Sequence, residues 1–389
     1  MTFGETGNRP EPKGPHRGKR MLRAVTTPHG ELPLPAFFPD ATRGVARALD
    51  AGDLEGCGIR GVMVNAFHLL TKPGVRAIAE HGGIHRFMNW PRPVAVDSGG
   101  FQAFSLLDGS TGLGSITHKG FTYRLEKGGK KTVLTPEKCV QTQLRLGADV
   151  LFCLDHCVGP DAPPEARRQA VEHTVAWARK CRETFERLLD ESSSPADARP
   201  LLLAVIQGGE DAALRSECAE RLLAIGFDGY GYGGWPVDAG GRLAESVAQV
   251  AELTPPDRPR FALGIGKPEN LARAFALGYH LFDCVIPTRD ARHKRLYVFN
   301  RPPEQSAPSG DDFYRCVYLQ DQEHAYADGP VEDGCDCHCC RGYSRAYLHH
   351  LFKIKDGLAD RLATIHNLRF YQRLIEALAA GRDRGRATT

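Results

Sequence analysis

No run of about 18 or more consecutive apolar residues occurs in the 389-residue chain, which argues against a membrane-spanning helix. The first twenty residues, MTFGETGNRPEPKGPHRGKR, lack the apolar core of a signal peptide. Their proline, glycine and basic content reads as a mobile basic tail over residues 1–22. Neither sign of charge is in excess: 50 Lys and Arg against 47 Asp and Glu leave a formal net charge of +3. A polyanionic partner must therefore be met by a local basic patch. No internal repeat shows beyond an alternation of apolar and helix-like segments. With no export signal, the twelve cysteines do not read as a disulfide framework, and a cytoplasmic location is expected.

What is present is a series of eight short apolar runs. They are PAFFPD from Pro35, GVMVNAF from Gly61, PVAVDS from Pro93, DVLFCLD from Asp149, LLLAVIQ from Leu201, GYGYGG from Gly229, FALGIG from Phe261 and LFDCVIP from Leu281. Continuous Val/Ile/Leu runs of this length suit strands buried on both faces, as in a parallel sheet. Segments between them carry apolar residues at three- and four-residue spacing, and Thr135 before Pro136 is a helix start. The pattern predicts an α/β fold, a (β/α)8 TIM barrel over 23–299. A doubly wound open sheet satisfies the same alternation. The sixth run is the weak strand, because its glycines lower strand propensity. GSITHKGFTYRLEKGGKKTVL, from Gly114, alternates around a Gly-Gly turn and predicts a β-hairpin insertion over about 108–134.

The strand ends carry the chemistry. Run three ends in Asp97, run four in Asp155, run five in Gln207, run six in Gly233 and Gly234, and run eight carries Asp283. In a barrel these ends converge on one mouth. A single acid there could also be a helix N-cap. Three acids and a glutamine at corresponding ends point to a pocket of carboxylates that shift one another's protonation, as acid–base or nucleophilic work requires.

Eight cysteines are scattered singly, and four crowd into CDCHCC at 335–340. Cys335, Cys337 and Cys340 give C-x-C-x-x-C, and three thiolates want one more ligand for tetrahedral zinc. His366, on an amphipathic segment downstream, is the favoured fourth, with His338, Cys339, His349 and His350 competing on spacing alone. A closed Cys3His site of this kind is structural. It staples a small zinc-binding subdomain over 300–366, followed by a C-terminal helix at 367–380 and a mobile tail at 381–389.

DSGGFQ (97–102), VIQGG (205–209), GYGG (231–234), GIGKPENL (264–271), FDCVIPTR (282–289) and CDCHCC with His366 together resemble the bacterial type of tRNA-guanine transglycosylase. The similarity runs from about Thr26 to Leu378. It implies a homodimeric barrel with one structural zinc per chain, exchanging the wobble guanine of a tRNA whose anticodon starts G-U for a 7-deazaguanine base. Asp283 would be the nucleophile and Asp97 the general acid/base. Asp155, Gln207, Gly233, Gly234, Ser98 and Phe101 would bind the base. Arg289, Arg292 and Lys267 would meet the anticodon loop, with His293, Lys294 and Arg295 extending the patch. The sequence departs from the family at GGWPVDAGG. Trp235 and Pro236 replace a small apolar pair, and Ala239 stands where an acid would hold the aminomethyl group of the incoming base. Asp238 is one position away, and His156 replaces a glutamate beside Asp155. Modification of DNA, or a non-catalytic RNA-binding subunit, are the alternatives; retention of Asp97 and Asp283 argues against the second. From the residues alone, a zinc-stabilised barrel glycosidase is the nearest description.

Overall fold

A computed structural model of the chain describes residues 22–102, 114–124, 129, 131–192, 199–305, 308 and 310–387. Most of the expected tail at 1–22, and residues 108–113 of the expected insertion, lie outside these. In chain order, β1 (Ala24–Thr27) and β2 (Gly30–Pro33) form a hairpin, followed by β3 (Ala36–Pro39), β4 (Val62–Asn65) and β5 (Val94–Asp97). The insertion contributes β6 (Gly114–Thr117), β7 (Gly120–Tyr123) and β8 (Thr132–Leu134). Then come β9 (Val150–Phe152), β10 (Leu201–Ile206), β11 (Gly229–Tyr232), β12 (Arg260–Ala262) and β13 (Leu281–Cys284). Two further strands, β14 (Arg295–Phe299) and β15 (Tyr314–Tyr318), pair antiparallel beyond the barrel.

All eight apolar runs are strands of one parallel sheet, in the order β3-β13-β12-β11-β10-β9-β5-β4. A parallel bridge from Asp40 to Met63, with the Ala41 N–H donating to the Met63 carbonyl at 2.7 Å, joins β3 to β4 and closes the barrel. An open sheet would leave both of those edges unpaired, so the doubly wound alternative does not hold. Residues along each strand alternate between two cores. Ala36, Phe38, Met63, Ala95, Val150, Phe152, Leu203, Val205, Phe261 and Leu281 fill the barrel, with Leu32 from the hairpin and Leu34 from the link between β2 and β3. Phe37, Val62, Val64, Val94, Val96, Leu151, Leu202, Ala204, Ile206 and Phe282 face the helices. β11 keeps its glycines because they point where bulky neighbours leave no room. A Cβ on Gly229 would lie 2.6 Å from the Pro259 carbonyl oxygen, and one on Gly231 3.2 Å from the Leu263 side chain.

The insertion is a three-stranded antiparallel sheet, not a single hairpin. Its first turn is His118–Lys119, between Thr117 and Gly120, while the Gly-Gly pair falls in the second connection, partly outside the described residues. The terminal helix is longer than the sequence reading: it runs Gly357–Ala387, so it carries His366 and continues through most of the segment expected as a tail. It packs on the barrel through Tyr371, whose ring meets Phe37 at 5.0 Å and whose hydroxyl donates to the Gly266 carbonyl at 2.6 Å. Among the described residues, no helix is long and apolar enough to cross a membrane.

Beneath the barrel, Asp149 is fully buried and accepts from the ring nitrogens of His29 and His85, both at 2.9 Å, and from the N–H groups of His29 and Val94. These three side chains lie close enough to share a metal ion. However, the two imidazoles stack face to face at 3.4 Å with an angle of 12°, so their in-plane lone pairs run side by side and do not converge. The arrangement is a hydrogen-bonded clamp tying the β1–β2 hairpin to the barrel floor.

Candidate active site at the barrel mouth

The inward parity of the strands dictates what stands at the mouth. Two residues beyond Phe38 is Asp40, beyond Met63 is Asn65, beyond Ala95 is Asp97, beyond Val205 is Gln207 and beyond Leu281 is Asp283. All five line one cavity of about 500 Å³, together with Asp155, Phe101, Gly233, Gly234, Trp235 and Arg289. An apolar barrel filling thus ends in a polar layer, and the predicted strand-end residues meet there. Asn65, Asp40 and Thr42 join them without having been anticipated, although counting by two from Met63 and Phe38 finds the first two.

Asp97 accepts from the Asn65 amide at 2.5 Å and from the Gly99 N–H at 3.4 Å. Burial nevertheless dominates and raises its carboxyl above the ordinary 3.8, against those hydrogen bonds. Asp283 receives the Gly264 N–H at 3.0 Å. Burial first, opposed by that bond and aided by the charges of Asp97 and Asp40, pushes its pKa up to about 7. Asp155 is pushed up to about 7 as well, by burial and the charge of Asp97, against hydrogen bonds from Gln207 and Ser98. The mouth therefore holds carboxyl groups that exchange protons near neutrality, which suits proton transfer and nucleophilic attack in the same pocket.

One wall is built for a flat polar ligand. Gln207 donates from Nε2 to Asp155 at 2.7 Å, which orients the amide in that wall. Gly233 leaves room for that amide: a Cβ there would sit 2.6 Å from Nε2. Gly234 has φ +106°, a conformation that side chains disfavour. Above the wall Phe101 and Trp235 remain over 40% exposed, their rings edge to face at 6.0 Å. The Trp235 indole N–H donates to the Val158 carbonyl at 3.3 Å. Asp238 does not reach the cavity. It accepts from the Arg242 backbone at 2.9 Å and from Arg242 Nε at 3.2 Å, closing its own turn. His156 is buried and pairs with His173 through Nδ1 atoms 3.1 Å apart, and burial lowers its pKa to about 4.

At the rim, Arg289 lines the cavity with its side chain about half exposed. Arg292, one turn on, is half-buried with Nη1 donating to the Thr288 carbonyl at 2.7 Å. Lys267 is exposed at the start of the Pro268–Ala276 helix. Arg295 turns away from the mouth. It opens β14, bonds the Cys316 sulfur at 3.2 Å and lies near Asp290 at 3.5 Å.

The metal-ligand prediction is met by four side chains. Cys335, Cys337 and Cys340 place Sγ at 3.8, 3.8 and 3.2 Å from His366 Nδ1. Metal–sulfur and metal–nitrogen bonds of about 2.3 and 2.05 Å give a tetrahedral S···N edge of about 3.6 Å, so the four could hold one ion between them. His366 Nε2 donates to the Tyr297 carbonyl at 2.7 Å, which fixes the tautomer that leaves Nδ1 free for metal. The competing ligands are placed elsewhere: His349 bonds the Leu319 carbonyl, and His338 and His350 are exposed. Cys339 lies outside the set of four.

The family profile described as Queuine tRNA-ribosyltransferase matches residues 18–384. The chain belongs to this family. A queuine tRNA-ribosyltransferase of Desulfosudis oleivorans is 39% identical over 372 residues, 94% of this chain and 90% of the relative. One of Solidesulfovibrio magneticus is 37% identical over 365 residues, 93% and 91% of the two chains. One of Novosphingobium aromaticivorans is 36% identical over 370 residues, 95% and 93%. The match of the queuine tRNA-ribosyltransferase family covers both the barrel and the Cys3His subdomain.

Proposed function

We propose that the chain is a transglycosylase that exchanges the guanine at the wobble position of tRNA for a 7-deazaguanine base through a covalent aspartyl-ribose intermediate. The observation that carries this reading is the meeting of Asp97 and Asp283 in one cavity, where burial raises both carboxyls above their ordinary range. Asp283 attacks the ribose C1′ as the bond from C1′ to the guanine nitrogen breaks. Asp97, whose carboxyl burial raises above its ordinary range, gives its proton to that nitrogen. The guanine departs, and the incoming base loses the proton on the same nitrogen to the Asp97 carboxylate. Its electron pair then forms the new bond to C1′ and releases Asp283. One glycosidic bond replaces another, so no external energy source is needed.

Asp155 accepts from the N–H and NH2 donors of the base, while Gln207 and the Gly234 N–H donate to its carbonyl. Ser98 and Gly233 shape that wall, Phe101 stacks on the base and Trp235 bounds its far side. The target base leaves its stack to enter. Arg289, Arg292 and Lys267 bind the anticodon loop, where single-stranded bases and phosphates are open to arginine. The acceptor is a tRNA with a G-U-starting anticodon, and the enzyme works as a homodimer in the cytoplasm. Zinc fits the Cys335, Cys337, Cys340 and His366 set and, with no open position, supplies folding energy to the subdomain and takes no part in the exchange.

Incorporation of radiolabelled guanine into unmodified tRNA tests the reading. Label uptake by the wild type, and none by Asp283→Asn, is the expected result. A zinc-loaded, folded wild type that takes up no label removes the tRNA-exchange reading.

A further inference from the structure

Arg215 lies in the Ala212–Ile225 helix, four residues after the Asp211 cap that follows Gly208 and Gly209. Its side chain is fully buried. It reaches inward because Gly208 lets the helix close on the strand end: a Cβ on Gly208 would lie 2.7 Å from the Arg215 Cα. Among the described residues no carboxylate pairs with it. Its guanidinium serves three backbone carbonyls instead. Nη1 donates to Ile206 at 3.0 Å and to Gly233 at 3.2 Å, while Nε and Nη2 donate to Gly209 at 3.0 and 2.5 Å. Its Cζ stands 4.7 Å from the centre of the Tyr232 ring. Burying a cation without a counter-ion costs several kcal/mol, and an apolar side chain would fill the space at lower cost. The geometry has another use.

Two of those carbonyls belong to the peptide units that carry the Gln207 and Gly234 N–H groups. In a trans peptide the C=O and N–H point in opposite directions. Drawing the Gly233 oxygen onto the guanidinium behind the strand ends turns the Gly234 N–H toward the cavity in front. Holding the Ile206 oxygen with the same Nη1 ties the end of β10, and so Gln207, to the end of β11. One nitrogen thereby sets the spacing between two donors on different strands.

We propose that Arg215 is a positioning residue for base selection, locking the Gly233–Gly234 peptide and the Gln207 strand end in the register that reads a ring carbonyl. This rests on the transglycosylase reading. The test compares guanine with 2-aminopurine, which lacks that carbonyl, in tRNA base exchange: KM for labelled guanine and the inhibition constant of 2-aminopurine. In Arg215→Lys and Arg215→Gln the KM for guanine should rise about tenfold, the worth of one hydrogen bond, with the 2-aminopurine constant moving less than about threefold. Arg215→Lys, which keeps the charge but cannot span three carbonyls, should lose selectivity while retaining tRNA affinity and circular dichroism. Both variants folded with the guanine/2-aminopurine ratio unchanged would overturn the proposal. So would failure of both to fold, which would assign Arg215 to the core alone. A wild type that exchanges no guanine removes the transglycosylase reading itself, an outcome separate from either.

Discussion

Lowering the pH from 8 to 6 should protonate two carboxylates that the proposed exchange needs ionised. Asp283 must be an anion to attack C1′, and Asp155 must be one to accept the donor edge of the base. Both are raised to about 7, by burial first and by the charge of Asp97 in the same cavity. A group with a pKa of 7 is about 91% ionised at pH 8 and about 9% at pH 6, a tenfold change. Two such groups acting together give a fall of about 100-fold in kcat/KM for guanine across this window, with a limiting slope of two on the acid side. The apparent values belong to the coupled set, because Asp97 acts on both. Asp155→Asn should lower the whole profile and reduce its slope to one, leaving about a tenfold fall, since one of the two protonations is gone. The assay is initial-rate incorporation of labelled guanine into a fixed tRNA at constant ionic strength. A profile flat between pH 6 and 8, or a slope unaltered in Asp155→Asn, would refute the argument that burial and mutual charge tune this pocket.

Three other outcomes follow from the same structure. Asp283→Asn should abolish exchange yet raise the melting temperature at pH 8, by roughly 2 °C or more, and by less than half as much at pH 5. The sign follows from a folded pKa above the ordinary 3.8: the penalty of ionising the buried acid is absent below that value and complete above 7. Equal melting shifts at both pH values would contradict it. Cys335→Ser and His366→Ala should each reduce bound zinc from one per chain to none, read by metal analysis, and cost at least several kcal/mol of subdomain stability; full retention of zinc in either would displace that residue from the ligand set. At the barrel floor, burial alone would raise Asp149, but hydrogen bonds from His29 and His85 outweigh it and hold the carboxyl at about 2. That clamp contributes about 2 kcal/mol above the ordinary carboxylate pKa, a contribution lost as pH falls toward 2. Asp149→Asn should show this loss at pH 7 in denaturant unfolding, and an unchanged midpoint would assign the clamp no energetic role.

The strands were legible because a β-strand buried on both faces needs nothing but apolar side chains, and no helix face needs so many in a row. The mouth was legible because the period of two does not stop when the apolar filling stops. Ala95 to Asp97, Val205 to Gln207 and Leu281 to Asp283 are single steps of one rule, and Phe38 to Asp40 and Met63 to Asn65 are the same step on the first two strands. The rule fails at Asp155. β9 ends at Phe152, Leu154 faces the helices, and the chain turns before Asp155 reaches the cavity. A residue beyond the last ladder bond obeys its own loop, and no periodicity specifies it. The length of the last helix was missed for a related reason: its exposed end has no apolar stripe to extend the pattern, while Tyr371 and His366 anchor it from within. Arg215 was invisible for the opposite cause, since whether an arginine is solvated or buried depends on what lies beneath its helix. There the deciding residue is Gly208, whose missing Cβ lets the helix approach the strand end closely enough for the guanidinium to reach three carbonyls. Pockets of this kind are therefore readable from sequence in the groups that face the ligand, and unreadable in the groups that hold those in place.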